Sequence, residues 1–175
     1  IDFGFTDMVV IQLYSGWRPQ ELAILKVSDI DFEKNIMTGG LKTQAGKERI
    51  VPILPLIKPL LEKRYNEAVK LKSEYVFNDI NSQTGINMTY DKYRKRFMKI
   101  MEKLDMNHTP HECRHTFITI AKSNKMDEYV LKLIVGHAID DITEKVYTHR
   151  TVEQLRTEMN TKITQYIAEK YNRKK

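Results

Sequence analysis

A chain of 175 residues with 41% hydrophobic and 30% charged side chains has the composition of one water-exposed domain with enough apolar residues for a core. No apolar run approaches the ~18 residues of a bilayer span, no signal-peptide pattern opens the chain, and the single cysteine, Cys113, excludes an internal disulfide and suits a reducing cytoplasm. The net charge of +6 points to a polyanionic partner, although basic proteins without one are common, and the abrupt opening at Ile1 reads as a piece of a longer protein.

In chain order, residues 5–14 are apolar enough for a buried helix, with Asp7 near its start. Ser15-Gly16-Trp17 breaks it, and Arg18-Pro19-Gln20-Glu21 opens a short second helix with proline in its first turn. Arg18 thus sits at a break between packed elements, with Glu21 placed to pair with it. A surface ion pair and an oriented anion-binding arginine both fit that position. From residue 27 the period changes. Asp29-Ile30-Asp31-Phe32 alternates, Glu33-Lys34-Asn35 turns, residues 36–41 return, and residues 49–53 close a three-stranded antiparallel sheet. Lys42 and Lys47 flank the second turn. Together with Arg49 they are candidate nucleic-acid contacts, although hairpin lysines are also commonly just solvated.

Residues 56–71 read as an amphipathic helix, and residues 73–89 as loop around the apolar Tyr75-Val76-Phe77. Over residues 90–104, Tyr93, Phe97, Ile100 and Leu104 make an apolar stripe, while Lys92, Arg96, Lys99 and Lys103 line another face. That face either tracks a phosphate backbone or is simply hydrated.

Thr109-Pro110 is a helix start, with threonine at the N-cap, proline at the first helical position and Glu112 completing a capping box. His111, Arg114 and His115 share one face at spacings of three and four, in the turns where free amides and the helix dipole favour an anion. The same letters match the zinc-hydrolase pattern H-E-x-x-H, with Glu112 as base and Glu128 or His137 as a third ligand. Against zinc, His111 falls in the first turn rather than inside a long helix, Arg114 sets a cation beside a dication, and Ile118 stands where the extended pattern needs glycine. No metal is expected. Phe117, Ile118 and Ala121 carry this helix into the core. Asp127 caps the next helix, Met126 and Leu131 staple it, Gly136 ends it and His137 follows. Thr151 opens a last amphipathic helix with Val152, Leu155, Met159, Ile163 and Ile167 as its stripe.

Gly16-x-Arg18-x-x-Glu21, Lys42-Thr43, His111-x-x-Arg114-His115-Thr116-Phe117, Val135-Gly136-His137 and Tyr147-Thr148-His149, in that order and over about residues 8–150, resemble the catalytic domain of the tyrosine recombinases, the phage-integrase family. The resemblance implies a mixed α/β, predominantly helical fold with a small three-stranded antiparallel sheet in residues 1–150. Residues 151–175 would form a tail helix that docks on a neighbouring protomer or packs in cis, and the family's N-terminal DNA-clamping domain has no counterpart here. The implied activity is site-specific recombination, the integration or excision of a mobile element. The Tyr147 hydroxyl would attack a phosphodiester of double-stranded DNA, leaving a 3′-phosphotyrosine link and a free 5′-hydroxyl before resealing to another strand. Bond energy is conserved, so no cofactor, metal or ATP is implied.

By the same resemblance Arg18 and Arg114 grip the non-bridging oxygens, and Lys42 protonates the leaving 5′ oxygen. His111 serves as acid or base toward the tyrosine and His137 donates a further hydrogen bond, with Glu21 and His115 behind them. A tyrosine of pKa ~10 is about three units from ionised at neutral pH, a deficit of roughly 4 kcal/mol; transition-state donors contributing on the order of 3 kcal/mol each offset it. Chemistry alone does not single out Tyr147 among nine tyrosines. Its choice over Tyr129, and that of Lys42 over Lys47, rest on the family pattern. The implied partners are a homotetramer on two duplexes and accessory DNA-bending or excision factors. A DNA-binding module without chemistry is the neighbouring alternative, as is a type IB topoisomerase.

Overall fold

The structure, a computed structural model, describes residues 4–41, 49–138 and 151–172. Its centre is helix α1 (Thr6–Leu13), which packs against α3 (Lys58–Lys70), α4 (Tyr90–Lys103) and α5 (Pro110–Ser123). Met8, Ile11 and Gln12 form its buried side. Asp7, in the first turn, accepts the Met8 amide at 2.8 Å, and its two oxygens also take Arg64 of α3 at 2.6 and 2.8 Å. That half-buried, two-pronged pair fixes the crossing of the two helices more firmly than an exposed single contact would.

The expected sheet is present: β1 (Ile30–Asp31), β2 (Ile36–Gly39) and β3 (Arg49–Pro52), antiparallel and in that order. Asn35 supplies the left-handed turn residue at φ 53°, and the register runs from Ile36 opposite Pro52 to Gly39 opposite Arg49. Strand period places Arg49 and Val51 on one face, and both are buried. Helix α6 (Glu128–Val135) and helix α7 (Val152–Met159) pack on β3.

The helix ends follow their sequence signals. Thr109, Pro110 and Glu112 form the capping box of α5. Asp127 accepts the Val130 amide at 2.9 Å and Gly136 closes α6 at φ 66°, with Met126 and Leu131 both buried as the staple. In α4, Tyr93, Phe97 and Ile100 are buried as expected, but Leu104 is 47% exposed and Met101 takes the inward place. The helix stops at Lys103, so Leu104 leaves the helical register. The last helix runs from α7 through a single π turn (Asn160–Thr164) into α8 (Gln165–Asn172). Leu155, Met159 and Ile163 are buried in the core of their own chain, and Tyr166 and Ile167 pack against it.

Candidate active site

The turn between α1 and α2 (Pro19–Ala23) is locked from three sides. Gly16 has φ +70°, and a side chain there would meet the Phe117 ring at 2.6 Å. The Ser15 hydroxyl donates to the Ile11 carbonyl at 2.6 Å. Buried Gln12 gives its amide to the Trp17 carbonyl at 3.2 Å, and its oxygen accepts the Tyr93 hydroxyl at 2.6 Å. The helical segments on either side therefore present Arg18, the N-cap of α2, from a backbone with little freedom.

Arg114 points inward from α5 and is 5% exposed. Its guanidinium donates to the Gly16 carbonyl at 2.8 Å and to the Val135 carbonyl at 2.5 Å. Arg18 donates to the next carbonyl, Gly136, at 3.3 Å, and to Glu21 at 3.2 Å. Both cations thus gather at the C-terminal end of α6, where free carbonyls and the helix dipole favour positive charge. His137 follows at once, its amide bonded to the Lys132 carbonyl at 3.0 Å. Arginine carries five donors, so these ties orient each guanidinium and leave N–H groups for an anion.

Burial, then the guanidiniums of Arg18 and Arg49, pull Arg114 down to about 9, with Glu21 opposing. Arg114 still carries its charge at neutral pH, in a place that favours an incoming anion. Burial, then Arg114, Arg18 and Lys122, lower His137 below its ordinary value. A lowered histidine is neutral near pH 7 and can donate one N–H. Burial alone would raise Glu21, but the Arg49 hydrogen bond and charge, the Leu41 amide and Arg18 outweigh it and lower it.

Arg18, Arg114, His137 and Glu21 are therefore brought together. His111 and His115 lie on the exposed side of α5, so the expected common face with Arg114 divides: the arginine turns into the protein and the imidazoles face out. Glu21 accepts Arg18 at 3.2 Å, and His115 is exposed. Lys42, Lys47 and Tyr147 lie outside the described residues. Beside Arg18 an open depression of about 270 Å³, lined also by Gln20, Glu21 and Leu41, adjoins the start of the segment that carries Lys42.

Glu112, the expected base of the zinc alternative, is occupied otherwise. Its carboxylate accepts His108 at 3.1 Å, and the Thr109 amide and hydroxyl at 2.5 and 2.9 Å. The His108 contact, then the Thr109 donors, hold its pKa at about 2. That is a helix cap, aimed back along the chain. Among the described residues no three His, Cys, Asp or Glu side chains gather as a metal group.

The surface cations need re-sorting. Arg49 is not on the surface: it is 5% exposed, bonds Glu21 at 2.6 Å and lies over the Trp17 ring at 4.0 Å. Its strand position, in phase with Val51, is the signal that the sequence offers for this. Lys92 donates to the Gly85 and Asn87 carbonyls at 2.5 and 3.0 Å, and Arg96 is held by Asp79 at 2.6 Å. Both tie α4 to the preceding loop. Arg94, Lys95 and Lys99 are exposed on α4 and, with Lys92, Arg96 and neighbouring residues, border a surface hollow of about 470 Å³. Arg94 and Lys95 fall outside the basic stripe read from spacing because that stripe lies one position too far toward the buried side; Lys103 is exposed at the end of the helix.

The same fold recurs in a crystal structure of XerA recombinase (TM-score 0.66, 26% identity, 89% of this chain and 55% of that one). It recurs in the Tn1549 transposon integrase in complex with circular intermediate DNA (TM-score 0.63, 25% identity, 89% and 57%). Among curated proteins, tyrosine recombinase XerA of Pyrococcus horikoshii is 33% identical over 159 residues, 85% of this chain and 52% of that protein. Tyrosine recombinase XerD of Oceanobacillus iheyensis is 33% identical over 161 residues, 85% and 51%. The chain spans about half the length of these curated relatives. With the sequence pattern of the phage integrase family matching residues 6–154, and with Arg18 and Arg114 joined at one helix end, the chain belongs to the phage integrase family.

Proposed function

We propose that this chain is the catalytic part of a site-specific tyrosine recombinase that cuts and rejoins duplex DNA through a 3′-phosphotyrosine intermediate. The observation that carries the reading is the convergence of Arg18 and Arg114 on the Val135–Gly136 carbonyls beside His137. One phosphate held there would meet two guanidiniums and a neutral imidazole donor, the complement of a phosphorane whose charge grows in the transition state. Tyr147 supplies the nucleophile, Lys42 the proton for the departing 5′ oxygen, and His111 acts toward the tyrosine. These three roles rest on family membership. Arg94, Lys95 and Lys99, with Lys47 and Lys103, carry the DNA backbone. The protein works as a homotetramer on two sites, and with Leu155, Met159 and Ile163 buried in cis a contact made by the tail helix with another protomer falls to its exposed side.

Integration or excision of a mobile element is the direction of reaction we favour. The DNA-bound Tn1549 transposon integrase supports that direction, while the Xer names of the curated relatives support a Xer-like resolution of joined molecules. The test is a library of nicked duplexes with a randomised core, incubated with the chain in EDTA. Covalent protein–DNA adducts are recovered and sequenced. Adducts formed without metal and absent in Tyr147→Phe support the reading, and their sequences reveal the site. An adduct that survives Tyr147→Phe, or none from the wild type, overturns it.

A further inference from the structure

Arg49 belongs to neither the surface nor the phosphate grip, yet it is among the most buried charges described. Its side chain is 2% exposed, Glu21 beside it is 3%, and their contact is 2.6 Å. The pair from Glu21 to Arg18 is longer, at 3.2 Å, and Arg18 is more open at 16%. One carboxylate therefore serves three donors. Its Oε2 takes Arg49, and its Oε1 takes both Arg18 and the Leu41 amide at 3.2 Å. The Trp17 ring lies against the Arg49 guanidinium at 4.0 Å, and Trp17 immediately precedes Arg18.

We infer that Arg49 is a positioning residue for the cleavage step: by taking most of the charge of Glu21 it leaves Arg18 with surplus positive charge for the scissile phosphate. It also moors the root of the β2–β3 segment to the same carboxylate. Glu21 facing Arg18 alone would give that arginine a full counter-charge and weaken its hold on an anion. With Arg49 present, the Glu21 carboxylate is divided between Arg49 at 2.6 Å and Arg18 at 3.2 Å, so Arg18, the more open of the two, keeps positive charge for an anion. The inference rests on the recombinase reading, because it presupposes a phosphate at Arg18.

The test uses duplexes recovered by the selection above, in two forms: the native phosphodiester, and a methylphosphonate at the scissile position that has no charge to neutralise. Arg49→Met should slow single-turnover cleavage of the phosphodiester about 100-fold, with DNA affinity within threefold of wild type. On the methylphosphonate its deficit should shrink to under fivefold, whereas a merely loosened fold would slow both substrates alike. The double variant Glu21→Gln with Arg49→Met should regain at least tenfold over Arg49→Met, since no carboxylate is left to satisfy Arg18. Arg49→Lys, which keeps the charge but loses the fork, should fall between. Equal deficits on both substrates, or cleavage by Arg49→Met at the wild-type rate, overturn the inference while the functional reading stands. No adduct from wild type overturns both.

Discussion

Arg114 and Arg18 donate to the carbonyls of consecutive residues, Val135 at 2.5 Å and Gly136 at 3.3 Å. Two guanidiniums from distant parts of the sequence are thereby levelled by a single helix end. The geometry also explains why His137 comes where it does, as the first side chain past that end.

Gly136 should then be a sensitive position. Its φ of 66° is natural for glycine and costs an L side chain roughly 1 kcal/mol. Gly136→Ala should lower stability by about that much in urea unfolding. It should slow cleavage far more, by 10-fold or greater, because its carbonyl and its neighbour's orient both arginines.

Gly16 fails differently. An added methyl meets both a φ of +70° and the Phe117 ring at 2.6 Å, in a packed core that cannot yield without moving α5. Gly16→Ala should destabilise the fold by about 2–4 kcal/mol. Pairing it with Phe117→Leu should return part of the steric share and none of the backbone share. Full recovery in the double variant would contradict this assignment.

Much of this is legible in the sequence, and what is not has a physical reason. Caps are local chemistry, so Thr109 with Glu112, Asp127 and Gly136 can be read from neighbours in the chain. The sheet and its order follow from alternation and two turns. Burial of charge is a tertiary fact. Arg114 shares a helical face with His111 and His115 by spacing alone, but only the approach of Gly16 and Val135 decides that the arginine turns inward. Arg49 reads as a DNA contact because a strand cation usually faces water; the ring of Trp17 and the carboxylate of Glu21, both far off in sequence, make the inward place tenable. Lys92 and Arg96 are likewise claimed by partners that spacing does not reveal.

The re-sorted basic face makes a quantitative prediction for DNA. Removing one cation from a phosphate lowers the slope of log affinity against log salt by about 0.9. Lys95→Ala and Lys99→Ala should each reduce the slope by about one unit in fluorescence anisotropy across a salt series. Lys92→Ala, whose ammonium is spent on the Gly85 and Asn87 carbonyls, should reduce it by less than half of that.

The cap of α5 should report on acid. Glu112 has a folded pKa of about 2 against an ordinary 4.5, set by His108 and then by the Thr109 donors. A depressed carboxylate adds stability that is whole above the unfolded value and fades as pH falls toward the folded one. Thermal midpoints of wild type and Glu112→Gln should differ at about pH 6 and converge between about pH 4.5 and 2. A constant gap over that window would mean that the carboxylate charge is not what holds the cap.

On the proposed function, the groups gathered at the end of α6 act on one phosphorus attacked by Tyr147. Proteolysis of the trapped protein–DNA adduct and mass spectrometry of the modified peptide test it most directly. The expected product is a nucleotide joined through its 3′-phosphate to Tyr147, in a yield that collapses in Arg18→Ala and Arg114→Ala. A 5′-linked nucleotide, a different modified residue, or full yield without either arginine would contradict it.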